Sequence, residues 1–179
     1  MTKLATHISI MVAGIDRVSQ LMPGMPKQLM VLARLILIIS RRFEERLAHE
    51  LAPHRLNQSE LITLMFLCSR PDGVSTPGEL CAVTWESTSN MTRIGNALIG
   101  RGLIVRKPSR TDRRRVMIGV TPSGRRFVQR LVPTMFPVLE KLFGNFSAAE
   151  LARLNRLLIK LAGNVDCLYE ADSGNGRSR

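Results

Sequence analysis

The chain has 179 residues, of which 45% are apolar and only 4% aromatic, and its 26 lysines and arginines against 14 acidic residues give a formal net charge of +12. This length and apolar fraction are typical of one globular domain with a hydrophobic core, and they exclude a disordered or fibrous chain and most two-domain enzymes. A folded domain with a pI near 11.1 attracts polyanions, either nucleic acid or an anionic membrane surface.

Three cysteines, Cys68, Cys81 and Cys167, lie far apart, without a CxxC pair or a histidine at zinc-ligand spacing. The sequence therefore predicts neither a disulfide framework nor a metal or other cofactor site. We expect reduced thiols, mostly packed in the core, in a reducing cytosol. A redox-responsive cysteine is the open alternative.

The longest apolar stretch, residues 29–39, is shorter than the roughly 18 to 20 residues of a membrane span, and Arg34 interrupts it. The apolar segment near the N-terminus is not followed by a clear small-residue cleavage site. We therefore expect a cytoplasmic protein without a transmembrane helix.

A breaker cluster at residues 23–26, with the sequence Pro-Gly-Met-Pro, sets residues 1–27 apart as an N-terminal extension. Apolar residues then recur at helical spacing, with arginine and glutamate between them, until Pro53 ends the pattern. The segment 28–56 is thus predicted to hold a long amphipathic helix that stops before Pro53.

Two capping boxes open the next pair of helices. Asn57 stands three residues ahead of Glu60, and Thr76 stands three residues ahead of Glu79, with Pro77 as the first helical residue. Both patterns place a polar cap and its reciprocal acid directly before an apolar run, so two short helices are predicted.

A further helix is predicted over residues 87–101, ended by Gly102 as a left-handed C-cap. Apolar and β-branched runs at residues 103–105 and 116–120 flank the polar segment 107–115. Such runs predict a β-hairpin with a long basic arm.

Residues 122–170 are predicted to form the C-terminal helices. Pro133 and Pro137 should kink or divide the first of them, and a capping box at Ser147 opens the last. The polar residues 171–179 are expected to be a disordered tail.

The order short helix, turn, helix, strand, basic arm, strand over residues 57–121 is that of a winged helix-turn-helix DNA-binding domain. The predicted fold class is therefore mainly α with a small β-hairpin wing. In this fold the second helix of the motif enters the major groove and the arm reaches the neighbouring minor groove.

The positive charge is concentrated in this region. Between Ser87 and Arg130 there are eleven basic residues, and Asp112 is the only acid, which gives +10 of the total +12. A solvated surface explains the alternating arginines and glutamates of residues 28–56. It does not explain this stretch, because uncompensated charges repel one another unless a polyanion neutralises them.

DNA contacts are expected from the polar face of helix 87–101, from the basic arm and from the starts of the flanking helices. In the helix, Met91, Ile94 and Leu98 share the opposite, apolar face, although polar residues also face water on ordinary surface helices. Asp112 is expected to orient a neighbouring arginine, and capping alone explains Thr76 equally well. The candidate contacts are Ser75, Thr76, Ser87, Ser89, Asn90, Thr92, Arg93, Asn96, Arg110, Asp112, Arg113, Arg114 and Arg115.

Four segments, residues 90–94, 101–106, 111–115 and 120–124, resemble the MarR family of bacterial regulators. The Asp-Arg-Arg of the wing followed by a Thr-x-x-Gly helix start is the family's most specific signature, and the likeness covers about residues 28 to 170. Within the family, the pattern around Glu79, Asn90 and Thr92, together with the leucine-rich C-terminal helix, looks most like the EmrR/MprA branch of multidrug-efflux repressors.

The resemblance implies a homodimer in which residues 28–56 and 122–170 form the dimerisation domain and hold two winged domains on a pseudo-palindromic operator. It also implies release by a small phenolic or lipophilic effector. Two features depart from the pattern: Trp85 and Glu86 stand where family members usually have a small and a neutral polar residue, and the N-terminal extension is long.

The sequence gives little information on the effector site. Pockets in the family lie between the dimer helices and the winged domain, and the residues that line them vary. Ordinary core packing explains Met65 and Phe66, and an exposed loop explains His54. The candidate ligand-binding residues are Arg42, Phe43, His54, Met65, Phe66 and Arg106, the last as a partner for a carboxylate or phenolate. All three cysteines follow residue 67, which disfavours peroxide sensing by an N-terminal cysteine.

Other functions are less consistent with the sequence. No HExxH pattern, phosphate loop or nucleophile with a base is present, so we expect no enzyme. A low aromatic content disfavours single-stranded RNA binding, and a membrane-surface helix would need an apolar face not used by a core. A nonspecific or architectural nucleic-acid-binding protein is the remaining alternative to an operator-specific repressor.

Overall fold

A computed structural model of the protein describes residues 3–108 and 116–175, and for residues 169–175 it describes the backbone alone. The chain divides into two compact units, Met1–Arg125 and Arg126–Arg179. None of the helices described combines the length and the hydrophobicity that a membrane-spanning segment needs.

Helices dominate the described part of the chain, as the sequence predicts. The α-helices are α1 (Lys3–Leu21), α2 (Lys27–Leu51), α3 (Gln58–Ser69), α4 (Pro77–Thr84), α5 (Thr88–Gly100), α6 (Pro122–Leu131), α7 (Phe136–Phe143) and α8 (Ala148–Asn175). Short 3-10 turns at Ala52–His54 and Val132–Met135 follow α2 and α6. The second turn contains Pro133 and divides the C-terminal helices where the prolines predict a break.

The wing is a three-stranded antiparallel sheet of order β1-β3-β2, made by β1 (Val74–Ser75), β2 (Ile104–Pro108) and β3 (Val116–Val120). The predicted hairpin is confirmed by the pairing of Ile104 with Val120 and of Pro108 with Val116. Strand β1 was not predicted, since two residues are too few to show alternation, and it forms only because β3 supplies its partners.

The core of the winged domain is built from the apolar faces of α3, α4, α5 and β2. Its fully buried side chains include Leu64, Leu67, Leu80, Ile94, Leu98 and Ile104. Met91 is 5% exposed, so the three residues predicted to form the inner face of helix 87–101 are buried together. That packing fixes which face of α5 remains outside.

The helix boundaries follow the local signals in the sequence. Complete capping boxes join Asn57 to Glu60 and Thr76 to Glu79. Gly102 has a φ of +67°, and the backbone N–H groups of Gly102 and Leu103 close the end of α5 on earlier carbonyls. This is the left-handed helix end that favours glycine, as predicted.

The Thr-x-x-Gly signature has a structural basis at the junction of β3 and α6. The Thr121 hydroxyl donates to the carbonyl of Gly102 over 2.7 Å and accepts from the backbone N–H of Gly124 over 3.0 Å. A Cβ atom added to Gly124 would overlap the carbonyl oxygen of Leu103. Glycine is required here because the start of α6 approaches the backbone that leads into β2.

The two ends of the chain differ in how well they were predicted. The N-terminal extension forms a helix, α1, which packs against α2 and carries Asp16 in an ion pair with Lys27. Helix α8 extends to Asn175, whereas the sequence predicts a disordered tail from residue 171. The prediction was wrong for residues 171–175, because extending an existing helix costs far less than nucleating one and no proline intervenes.

Candidate nucleic-acid interface

Helix α5 presents a polar face to solvent. Ser87 caps the helix by accepting from the backbone N–H of Asn90 over 3.3 Å. The predicted base-contacting residues Ser89, Thr92, Arg93 and Asn96 are all exposed on this helix. Because the buried stripe of α5 holds the opposite side in the core, this arrangement is that of a recognition helix.

The hydroxyl groups of Ser87, Ser89 and Thr92 are already engaged in local bonds. The hydroxyls of Ser87 and Ser89 lie 3.0 Å apart, and Thr92 donates to the carbonyl of Thr88 over 2.9 Å. Each hydroxyl oxygen keeps lone pairs for a donor, and Ser87 sits beside the free N–H groups of the helix start. These residues therefore suit phosphate or base-edge contacts without rearrangement of the helix.

The turn between α4 and α5 contains the two residues that depart from the family pattern. Trp85 ends α4 with a φ of +58°, in the left-handed region, and 89% of its surface is exposed. Glu86 is half-buried and faces inward to α3 and α5. The turn thus holds an indole at the surface next to the start of the recognition helix and a carboxylate beneath it.

A chain of hydrogen bonds, which we call the Glu86 relay, runs from α3 to the exposed face of α5 through Ser59, Glu86, Asn90 and Arg93. Ser59 donates to one carboxylate oxygen of Glu86, and Nδ2 of Asn90 donates to the other, each over 2.5 Å. Nε of Arg93 donates to Oδ1 of Asn90 over 2.9 Å. The bonds from Ser59 and Asn90, and then the charge of Arg93, lower the pKa of Glu86 below its usual range.

Asn96 and Arg106, predicted separately as a DNA contact and an effector contact, meet in the structure. Nη2 of Arg106 on β2 donates to Oδ1 of Asn96 on α5 over 2.8 Å. The amide of Asn96 is therefore held by the wing, and its Nδ2 group is the part left to donate outward.

The flanking residues are placed differently from what the sequence predicts. Ser75 is completely buried, and its hydroxyl donates to the Glu79 carboxylate, so this side chain is not exposed and its predicted phosphate contact stays a prediction. It is buried because β1 pairs with β3 and turns Ser75 under α4. Thr76 is half-buried, and its hydroxyl caps α4.

The basic arm is only partly described. Arg110, Asp112, Arg113, Arg114 and Arg115 lie outside the described residues, so their predicted contacts stay predictions. Strands β2 and β3 pair as far as Pro108 and Val116, and Arg106 and Lys107 on β2 are exposed. The described part of the hairpin thus carries two exposed basic side chains on β2 shortly before the chain enters the arm.

A cavity of about 70 Å³ lies between α3, α4, α5 and the sheet. Its walls are mostly apolar and include Leu80, Met91 and Ile118, with Arg106 as the charged group and Thr92 of the recognition helix at one side. One wall carries Cys81. The cavity thus places a guanidinium, an apolar surface and the recognition helix within one small volume.

The six predicted effector residues do not converge on this cavity. Arg106 lines it and the other five do not. Arg42 is paired with Glu45 on α2 over 2.9 Å, Phe66 lies under the guanidinium of Arg70, and Met65 is 44% exposed. The carbonyl of His54 accepts a hydrogen bond from Arg101.

The three cysteines are free thiols. Cys68 and Cys81 are half-buried, and burial raises the pKa of Cys68 above its usual range despite the nearby Arg125. Cys167 is exposed on α8, so this thiol is not packed in the core as expected for most of the cysteines. A raised pKa disfavours the reactive thiolate form of Cys68.

Residues 56–115 match a family model described as the MarR family. The chain is 28% identical over 141 residues to the transcriptional repressor MprA of Escherichia coli, covering 79% of this chain and 80% of that protein. It is 29% identical over 136 residues to the multiple antibiotic resistance protein MarR of Salmonella typhimurium, covering 75% and 92% respectively. The resemblance stated from the sequence motifs is therefore confirmed.

Solved structures support the same fold. A MarR family regulator from Silicibacter pomeroyi is similar with a TM-score of 0.68 at 25% identity, covering 80% of this chain and 97% of that one. A cysteine-to-serine variant of MarR from Escherichia coli in complex with operator DNA gives a TM-score of 0.63 at 25% identity, covering 77% and 98%. The winged-helix fold predicted from the sequence is confirmed, as is the expectation that the chain is not an enzyme, since these relatives are named as regulators.

Proposed function

We propose that the chain is a DNA-binding transcriptional regulator of the MarR type, a repressor that binds a pseudo-palindromic duplex operator as a homodimer and is released by a small phenolic or lipophilic effector. The observation that carries the proposal is the exposed polar face of α5 within a region of concentrated positive charge. In a winged helix-turn-helix, that face meets base edges while basic side chains bind phosphates.

Dimerisation is supported by apolar side chains that neither unit covers by itself. On α2 the exposed apolar residues include Leu29, Leu32, Ile36, Leu37 and Ile39. On α8 they include Leu157, Leu158, Ile159, Leu161 and Val165. Continuous apolar stripes of this kind require a partner surface, and a two-fold dimer would match two half-sites of an operator.

The cavity beside α5 supports an effector that carries a carboxylate or phenolate on an apolar ring. Arg106 supplies a charged donor for the anion, and the apolar walls supply contact for the ring. A cavity of roughly 150 Å³ holds benzene in a protein interior. At about 70 Å³ this cavity must widen to admit such a ring, which requires α5, α4 or the wing to move.

The same guanidinium bonds to Asn96, so an anion that engages Arg106 competes with a contact that positions the recognition helix. Effector binding and operator binding are then coupled through one side chain. The likeness of the sequence motifs to the EmrR/MprA branch supports efflux or stress genes as targets and the cytoplasm as the place of action, and the similarity to a named transcriptional repressor supports repression.

The test is binding of the purified protein to labelled duplex DNA from the region upstream of its own gene, at physiological salt with excess nonspecific duplex. Specific retention that small aromatic acids or phenols reverse supports the proposal. Loss of binding to any competitor duplex supports a nonspecific or architectural role instead. Retention that no effector reverses supports the repressor and rejects the ligand response.

A further inference from the structure

We propose that Glu86 determines sequence specificity as a positioning residue: through Asn90 it fixes the guanidinium of Arg93 for base recognition without contacting DNA itself. The inference rests on the proposed function, because it concerns how α5 reads an operator. It assigns a role to a residue that the sequence marks only as a departure from the family pattern.

The first step of the argument is the chemistry of a carboxylate. An ionised carboxylate accepts hydrogen bonds and donates none, whereas the amide of Asn90 has a donating and an accepting end. Glu86 can therefore bond only to the Nδ2 end, as it does. A carboxyl group whose pKa lies below 4.5 is ionised at neutral pH, so Glu86 accepts without donating and holds the amide of Asn90 in one orientation.

The second step follows from that orientation. With Nδ2 bound to Glu86, Oδ1 of Asn90 faces Arg93 and accepts from Nε. Among the described residues, neither terminal nitrogen of Arg93 has a hydrogen-bond partner. These two nitrogens form a fork suited to O6 and N7 of a guanine in the major groove.

The third step is the anchor of the relay. Ser59 lies on α3, 27 residues before Glu86, and donates to its second carboxylate oxygen. The orientation of Arg93 is therefore fixed by a contact with α3 as well as by contacts within α5. A side chain fixed before binding loses less conformational entropy on binding, which favours the one base pair that matches its geometry.

A carboxylate near DNA also has a cost, because it repels phosphates and weakens binding to every sequence. Charge repulsion alone would therefore lower affinity uniformly and leave sequence preference unchanged. The relay instead predicts an effect confined to the base pair that Arg93 reads. This difference separates positioning from a general electrostatic effect.

The experiment selects binding sequences from a random duplex library with three full-length proteins, the parent, Glu86→Gln and Glu79→Gln, at one salt concentration. Glutamine has the shape of glutamate but can also donate, so in Glu86→Gln the amide of Asn90 can turn and release Arg93. Discrimination at one base pair of each half-site should fall about tenfold, the loss expected for one bidentate contact. Glu79→Gln removes the same charge from α4, where glutamine still completes a capping box, and should select the parental sequence.

A Glu86→Gln protein that selects the parental sequence with unchanged preference at every position overturns the inference while the proposed function stands. A uniform gain in affinity for all sequences also overturns it, because that is the result of charge removal alone. A parent protein that selects no sequence refutes the proposed function, and the specificity role of Glu86 with it.

A second measurement needs no DNA. In the NMR spectrum of the free protein, the Nε–H signal of Arg93 should be protected from solvent exchange in the parent and in Glu79→Gln, and should lose that protection in Glu86→Gln. Rapid exchange of this signal in the parent would show that the relay does not hold Arg93. The double variant Glu86→Gln with Asn90→Ala should discriminate no less than Asn90→Ala alone, since Asn90 carries the effect.

Discussion

Arg106 on β2 and Asn96 on α5 are joined by a 2.8 Å hydrogen bond, and Arg106 also lines the cavity beside α5. One guanidinium therefore contacts both the predicted effector volume and the recognition helix. In Arg106→Gln, the affinity for small aromatic carboxylates should fall by about tenfold or more, because a charge-assisted hydrogen bond is replaced by a neutral one. Direct titration by calorimetry measures this loss.

Lys107→Gln is the matched control for that variant. Lys107 is the next residue of β2, carries the same charge and does not line the cavity. It should keep the parental affinity for the effector. Equal losses in both variants would mean that the effect is a general one of charge and that the cavity is not the effector site.

Gly124 is expected to be intolerant of any side chain. A Cβ atom there would overlap the carbonyl oxygen of Leu103, which is backbone and cannot move without disturbing β2. Gly124→Ala should lower the free energy of unfolding by about 1–3 kcal/mol, the usual cost of overpacking. Urea unfolding followed by circular dichroism measures the change.

Gly100, in the last turn of α5, is the control for that measurement. An added Cβ meets nothing within 4 Å there, so Gly100→Ala should leave stability equal or slightly higher, as alanine favours helix over glycine. If Gly124→Ala were as stable as Gly100→Ala, the close approach at the start of α6 would not constrain the fold.

Arg114 in the basic arm and Arg93 on α5 should respond differently to mutation. Arg114→Ala is expected to weaken binding to most duplex sequences and to reduce the slope of log affinity against log salt by about one, as for loss of one phosphate contact. Arg93→Ala is expected mainly to relax base preference. Fluorescence anisotropy over a salt titration, with operator and random duplexes, distinguishes the two.

Arg17→Ala removes the same charge from α1, outside the winged domain, and serves as control. Its salt slope should equal that of the parent. An Arg114→Ala protein with the parental slope on both duplexes would remove the arm from the phosphate-binding surface.

The parts of the fold predicted from sequence are those with local causes. The ends of the helices could be predicted because the residues that set them act over only a few positions. These residues are the caps, the prolines and Gly102. The burial of Ser75 could not, because it depends on pairing between β1 and β3, which are more than 40 residues apart. No local pattern distinguishes a polar residue under a helix from one on its surface.

The candidate site divides in the same way. The exposed face of α5 was predicted from helical spacing and is confirmed as exposed. Within the Glu86 relay, Glu86 and Asn90 are four residues apart and Asn90 and Arg93 three, spacings at which side chains on a helix meet, so this part had a readable signal. The bond from Ser59 joins residues that are 27 positions apart, and no local pattern in the sequence predicts it.

Glu150 should make the stability of the protein depend on pH. Hydrogen bonds from the backbone and side chain of Ser147 lower the pKa of Glu150 below 4.5, its ordinary value. Between the lowered value and 4.5 the unfolded chain binds more protons than the folded one, so stability rises with pH through this range. The contribution is fully present above 4.5 and is lost as the pH falls through the folded pKa.

Glu150→Gln and Ser147→Ala should both reduce the difference in urea midpoint between about pH 6 and about pH 3.5. Glutamine can still complete the capping box but does not titrate, and alanine removes the donor hydroxyl. A difference identical to that of the parent in both variants would show that this carboxylate does not contribute to acid unfolding.

Trp85 provides a direct probe of where DNA lies. It is the only tryptophan, it is 89% exposed, and it begins the turn that leads from α4 into α5. If the recognition helix enters the major groove, the adjoining turn approaches the sugar-phosphate backbone, which removes water from the indole. Operator binding should then shift the emission of Trp85 to shorter wavelength or quench it. This change should saturate at the same operator concentration as the binding curve measured by anisotropy. Trp85→Phe should bind the same operator without the optical signal. Emission that is unchanged at saturation would place the turn away from DNA and would require α5 to approach the groove from its other end.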